Sequence, residues 1–229
     1  MADHKTTQVS LVFQGTGLQA LGYGLLYIIL SVLIIPAAWG AVPLYRWFVR
    51  NLSFSDGTET SFTGRGGEIW DIFALAMIII YIPQLPSRME NSEAAALVSI
   101  FLPITLLPIS TVLWLKTVRW FVAHIALSCG TSLRFVGAYG PYLGWTVLLV
   151  LSFFTVIGWA WAAVAMTRWL CRNVAGAQLR VVFEGGGWGL LWRGIVAALA
   201  SIIVIPIPWM ATWIVRWFAR NMVVQRVTI

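Results

Sequence analysis

Arg46-Trp47-Phe48-Val49-Arg50-Asn51, followed by the turn Asp56-Gly57 and by Phe62-Thr63-Gly64, decides how the chain is read, because its parts return. Phe-x-Gly occurs at Phe13/Gly15, Phe62/Gly64, Phe135/Gly137 and Phe183/Gly185. Arg-Trp occurs at Arg46-Trp47, Arg119-Trp120, Arg168-Trp169 and Arg216-Trp217, and five positions after each Arg comes Asn51, His124, Asn173 or Asn221. The step from Phe to Arg is 33 residues in the first, third and fourth copies and 57 in the second. Matched spacing in four copies marks an internal repeat. The copies occupy approximately residues 8–55, 56–128, 129–177 and 178–229 of a single domain.

Between the markers the chain is apolar. Of the 229 residues 60% are hydrophobic and 10% charged, and mean hydropathy is +0.86. A soluble domain carries about 25% charge, and disorder needs low hydrophobicity. Both classes are excluded, and two Cys do not make a disulfide scaffold. Residues 6–45, 94–115, 135–167 and 194–215 contain no Lys, Arg, Asp or Glu. These runs reach the roughly 20 residues that a membrane-crossing helix needs. The expected class is therefore an all-α polytopic membrane protein.

The inside of each repeat sets its path. Pro36, Gly158 and Pro206 stand ten residues before Arg46, Arg168 and Arg216, and Trp39, Trp161 and Trp209 follow three positions later. This predicts a helix, a break and a second helix, forming a helical or re-entrant hairpin. The second repeat carries its excess as the polar segment 83–93, a loop between two apolar helices. With hairpins throughout, all Lys and Arg except Arg88 share one side, which the positive-inside rule makes cytoplasmic, along with both termini. Short β-hairpins are expected at that interface, around Asp56-Gly57, Cys129-Gly130 and Ala175-Gly176-Ala177. The end segments 8–13 and 222–229 are expected to pair as strands.

The stretch Trp39 to Asn51, with Asp56-Gly57, Phe62-Thr63-Gly64 and the echo from Pro208-Trp209 to Asn221, resembles the repeat of the YjgN-like family of bacterial inner-membrane proteins. The second repeat departs from it, with His124 for Asn and Val112 for Trp. The resemblance implies a bacterial inner (cytoplasmic) membrane location. It implies no activity and no catalytic residues.

The chemistry-bearing residues are few. Gly185-Gly186-Gly187-Trp188-Gly189 lacks the Gly-Lys-Ser/Thr ending of a phosphate-binding loop and reads as a turn feeding a helix. His4 and His124 are the only histidines; His124 and Cys129 stand five apart, which is not a metal-ligand spacing. Asp71 and Lys116 fall near helix ends rather than at membrane depth. The expectation is a non-enzymatic protein without metal or cofactor. Arg46, Trp47, Arg119, Trp120, Arg168, Trp169, Arg216 and Trp217 are expected to anchor it at the interface and to bind anionic lipid. The net charge of +7, spread over the repeat junctions, suits anionic lipid better than nucleic acid. Two functional readings follow: small-solute passage or anionic-lipid interaction through the broken helices, and, as the alternative, a structural accessory subunit packed against other membrane proteins or a second copy.

Overall fold

The computed structural model describes residues 6–85, 93–128, 130–176 and 179–227. His4, Arg88 with the rest of 86–92, Cys129 and Ala177 lie outside the described residues.

Each repeat is a strand, a helical hairpin and a second strand. The first holds β1 (Thr6–Phe13), α1 (Gly17–Val32), α2 (Ala37–Arg50) and β2 (Leu52–Phe54). The second holds β3 (Thr60–Phe62), α3 (Trp70–Tyr81), α4 (Glu93–Ala123) and β4 (Ile125–Leu127). The third holds β5 (Leu133–Phe135), α5 (Tyr139–Ser152), α6 (Trp159–Arg172) and β6 (Val174–Gly176). The fourth holds β7 (Leu179–Phe183), α7 (Gly187–Ser201), α8 (Ile207–Arg220) and β8 (Met222–Val227).

Local chemistry explains the boundaries. α1 opens with a capping box, in which the Thr16 hydroxyl accepts from the Gln19 amide and the Gln19 side chain accepts from the Thr16 amide. The three expected breaks fall in place: Pro36, Gly158 and Pro206 are the residues just before α2, α6 and α8. The second helices end alike. The Asn51, Asn173 and Asn221 side-chain amides donate back to the carbonyls of Trp47, Trp169 and Trp217 at 2.8, 2.8 and 2.7 Å, satisfying an acceptor that the helix end leaves open.

The two strands of a repeat pair antiparallel across the base of its hairpin. Phe13 faces Leu52, Phe62 faces Ile125, Phe135 faces Val174 and Phe183 faces Met222. Six strands form one sheet in the order β2-β1-β8-β7-β6-β5, with β1 and β8 joining the chain ends, and β3 pairs with β4. Single bridges, Ser53 to Glu59 and Ala126 to Ser132, link the two sheets. The strands thus follow one another round a closed ring, and α1 to α8 each touch the next, with α8 returning to α1. Core residues fill the space between sheet and second helices: Val9, Leu11, Phe13, Phe54 and Val224 meet Ala219 of α8. Ala37, Ala38 and Ala41 of α2 meet Ile69, Phe73 and Met77 of the second repeat.

This architecture corrects the expected all-α polytopic fold. The strands form a six-stranded antiparallel sheet with a two-stranded partner, and are more than ornaments at the junctions. Among the described residues one helix, α4, is long and apolar enough to cross a membrane. The length of the apolar runs misled on how many helices can cross. The charge-free run 6–45 contains β1, all of α1, a reversal and the start of α2. α1, with 16 residues, reaches about 24 Å at 1.5 Å per residue, short of a hydrocarbon core of about 30 Å. Of the expected junction hairpins the third is present as the β6–β7 pair, and the end segments pair as β1 and β8, as expected; the junctions after β2 and β4 carry only single bridges, and β2 and β4 make their ladders across the hairpin bases. Ala175 and Gly176, expected in the turn Ala175-Gly176-Ala177, belong to strand β6.

Candidate functional site

The four motifs meet at the ring of strands. The amide after each motif Phe donates to the backbone carbonyl of that repeat's Asn or His: Gln14 to Asn51, Thr63 to His124, Val136 to Asn173 and Glu184 to Asn221, at 2.9–3.0 Å. The motif Trp lies on the motif Gly and edge-on to the motif Phe, with ring centroids 5.6 Å apart for Phe13–Trp47, 5.4 Å for Phe62–Trp120, 5.9 Å for Phe135–Trp169 and 5.8 Å for Phe183–Trp217. A Cβ on Gly15, Gly64 or Gly137 would come within 2.6–2.8 Å of the Trp ring, so only glycine admits the contact.

The motif Arg reaches into the next repeat. Nη2 of Arg119 donates to the Gly137 carbonyl at 2.9 Å, and Nη2 of Arg168 to the Gly185 carbonyl at 2.9 Å. Nη2 of Arg216 donates to the Gly15 carbonyl at 2.8 Å and closes the ring. The sequence-predicted anchors therefore stand together at the sheet end, where Trp serves packing within a repeat and Arg119, Arg168 and Arg216 bond between repeats.

A second set of Trp contacts crosses each junction. Trp39 lies against Gly66, Trp161 against Gly187 and Trp209 against Gly17, where an added Cβ would sit 3.1, 2.7 and 2.6 Å from the ring. The junction from the second to the third repeat has Val112 in the Trp position and Tyr139 in the Gly position, so the bulk has changed sides. Tyr139 donates its hydroxyl to the Pro108 carbonyl of α4 at 3.1 Å.

The far ends of the hairpins are strained and apolar. Ile34, Val156 and Val204, each 21 residues after its motif Phe, have φ of 64°, 61° and 65°. β-Branched residues are outliers there, and such strain costs about 1–3 kcal/mol each. The turn donors are nonetheless paired, for instance Val204 N to Ser201 O at 3.0 Å and Ile205 N to Ile203 O at 2.7 Å, with the same pattern at Ile34-Ile35 and Val156-Ile157. The side chains stand free: Phe154 is 84% exposed, Val156 78%, Ile202 78% and Ile205 73%. Sequence reasoning found the breaks but missed these residues; their common offset from the motif Phe was the available signal.

The second repeat holds an ionic variant of the motif. His124 donates from Nδ1 to the Trp120 carbonyl at 2.8 Å, as the asparagines do from their amides, and its Nε2 lies 3.2 Å from Oε2 of Glu68. Trp120 Nε1 donates to the same oxygen at 3.1 Å. Gln19 serves Trp47 in that way in the first repeat, at 3.0 Å. The Arg65 amide donates to Glu68 as well; this bond, then the Trp120 bond and the nearby His124, hold the Glu68 carboxyl below its usual pKa.

Between α1, α2, α4 and α8 lies an open cavity of about 720 Å³. Its wall runs from Phe48, Phe121 and Val215 towards Ile28, Val204 and Ile207, and holds no charged side chain. The Thr117 and Thr212 hydroxyls in it are taken by their own helices, donating to the Leu113 and Trp209 carbonyls at 3.0 and 2.9 Å.

The remaining candidates do not assemble. Asp71 sits in the first turn of α3 and Lys116 in α4. Gly185, Gly187 and Gly189 meet Trp217, Trp161 and Trp217, so the Gly-rich segment makes room for rings. Cys171 is buried. Arg193 stacks over Trp192 at 4.4 Å and donates to the Gly189 carbonyl at 2.7 Å. Among the described residues no three His, Cys, Asp or Glu stand close enough to share a metal ion. The chain matches no family model, no curated protein and no solved structure.

Proposed function

We propose that the chain is a non-enzymatic, lipid-interacting membrane protein. The strand ring lies at the surface of an anionic leaflet, and the short hairpins of the first, third and fourth repeats enter the hydrocarbon tip first without crossing it. The observation that carries this reading is the strained apolar tip in three equivalent copies. A turn in water relieves positive φ with Gly or Asn. Here Val156 and Val204 hold that conformation, exposed beside the exposed Phe154, Ile202 and Ile205, and Ile34 holds it half-buried between the exposed Leu33 and Ile35. Burying one such side chain in hydrocarbon contributes about 1.5–3 kcal/mol, which offsets the strain of one turn residue. Several side chains per tip leave a surplus. Donors paired within the turn meet the demand that lipid makes on backbone.

Charge supports the same orientation. Arg46, Arg50, Arg168, Arg172, Arg216 and Arg220 lie at or near the sheet-side ends of the second helices. Each basic residue near an anionic surface contributes roughly 1 kcal/mol. The resemblance to the YjgN-like repeat agrees with a bacterial inner-membrane setting. Flotation with vesicles of phosphatidylcholine and phosphatidylglycerol tests the reading. The natural chain should float with the vesicles, and the double variant Val156→Asp/Val204→Asp should stay largely in the dense fraction. Equal flotation of both would refute tip insertion. Flotation that requires a co-purified protein would favour the accessory-subunit reading.

A further inference from the structure

We propose that the cavity between α1, α2, α4 and α8 is a binding site for one acyl chain of a membrane phospholipid. The inference rests on the tip-insertion reading and names the ligand of that membrane-facing end.

Three observations identify the occupant. First, the wall offers no charged side chain, and the Thr117 and Thr212 hydroxyls are engaged with their own helices. A free carboxylate would find no counter-charge there, whereas a hydrocarbon chain needs none. A phospholipid keeps its charged head outside and offers only its tail. Second, Val204 and Ile207 belong both to the wall and to the exposed tip region, so the cavity is continuous with the surface that faces hydrocarbon. Its volume of about 720 Å³ lies within the range of pockets that bury a small ligand.

Third, the cavity is held open at a cost to its own helix. Gly24 lies inside α1 and lines the wall, and a Cβ built on it meets nothing within 4 Å. No close packing and no positive φ requires glycine at this position. Glycine is among the poorest helix formers, and any larger apolar residue would both steady α1 and fill the space. Ala20 and Ala211 keep the same wall small. Gly22, two residues away, also has open space around a Cβ but does not line the cavity, and so serves as a matched control.

The test uses the full chain reconstituted in vesicles of phosphatidylcholine and phosphatidylglycerol, then extracted in mild detergent and analysed for retained phospholipid. The natural protein and Gly22→Leu should each retain about one phospholipid per chain. Gly24→Leu, and independently Ala211→Leu, should retain at least fivefold less while melting no lower than Gly22→Leu and floating with vesicles as the natural chain does. Equal retention in Gly24→Leu and Gly22→Leu overturns the proposal, as does a natural protein that retains none. Full displacement of the phospholipid by an equal amount of palmitate overturns the choice of a phospholipid tail. If the natural chain fails to float at all, the tip-insertion reading fails first; if all variants float and retain alike, only the acyl-chain site fails.

Discussion

Arg216 and Gly15 stand 201 positions apart in the chain, yet the Arg216 guanidinium donates to the Gly15 carbonyl at 2.8 Å. The bond repeats the Arg119–Gly137 and Arg168–Gly185 bonds, so the last repeat meets the first as the second meets the third and the third meets the fourth. A hydrogen bond from a charged group contributes about 1.5–3 kcal/mol. Arg216→Gln should therefore lower unfolding stability by roughly 1–3 kcal/mol, and Arg119→Gln and Arg168→Gln by similar amounts. Denaturant unfolding of the three single variants checks this. A silent Arg216→Gln beside two destabilised variants would mean that the ring does not close as drawn.

Trp161 and Gly187 form a close cross-junction pair: a Cβ on Gly187 would stand 2.7 Å from the Trp161 ring. Overpacking of this kind costs typically 1–3 kcal/mol. Gly187→Ala should destabilise by about that amount. The pair Trp161→Val/Gly187→Tyr, copying Val112 and Tyr139, should cost less than the sum of its single changes. A thermal-melting double-mutant cycle reads the coupling; strict additivity would show that the two positions do not pack.

Glu68 carries a pH signature. Its folded pKa lies below the ordinary range of a glutamate carboxyl, chiefly through the Arg65 amide and Trp120 bonds. A depressed carboxyl adds stability that is present above its unfolded pKa and lost as pH falls through its folded pKa. Stability should thus drop on the acid side of that value, and Glu68→Gln should flatten the drop while keeping acceptor bonds of the kind that Gln19 makes to Trp47 and Thr16. Melting temperatures across mildly to strongly acid buffers compare the two chains. An unchanged acid slope in the variant would assign the loss to other groups.

Much of this was legible in the linear chain for a physical reason. Phe-x-Gly, Arg-Trp and the capping Asn each make a contact that tolerates few substitutes, so they recur, with His124 for Asn and a longer Phe-to-Arg step in the second copy. Pro36, Gly158 and Pro206 mark breaks because they precede the second helices directly. Helix length was not legible, since a charge-free run such as 6–45 is shared out among β1, α1 and the start of α2. β6 escaped because Val174-Ala175-Gly176 has the composition of a turn and becomes a strand through pairing with β5 and β7. The exchange of bulk between Val112 and Tyr139 emerges only when columns from neighbouring repeats are compared. The cavity beside Gly24 depends on what surrounds it and has no local signal.

Val204 offers a test of strain against environment. At φ 65° a glycine is unstrained, so Val204→Gly should gain up to about 1–3 kcal/mol in water or detergent. The same change removes an apolar side chain from the tip and should weaken vesicle binding. Opposite signs in detergent melting and in vesicle affinity are the expected result. Loss of stability in detergent would mean that Val204 is held by packing within the protein.

The central claim, that the tips lie in hydrocarbon while the strand ring lies at the surface, is tested most directly by depth. Spin labels on single cysteines, introduced as Val204→Cys or Ser55→Cys with the natural cysteines replaced, are compared in phosphatidylcholine and phosphatidylglycerol vesicles. Relaxation by dissolved oxygen and by a water-soluble nickel complex reports where each label sits. The Val204 label should respond strongly to oxygen and weakly to nickel, and the Ser55 label the reverse. Equal exposure of the two labels to nickel would contradict the account.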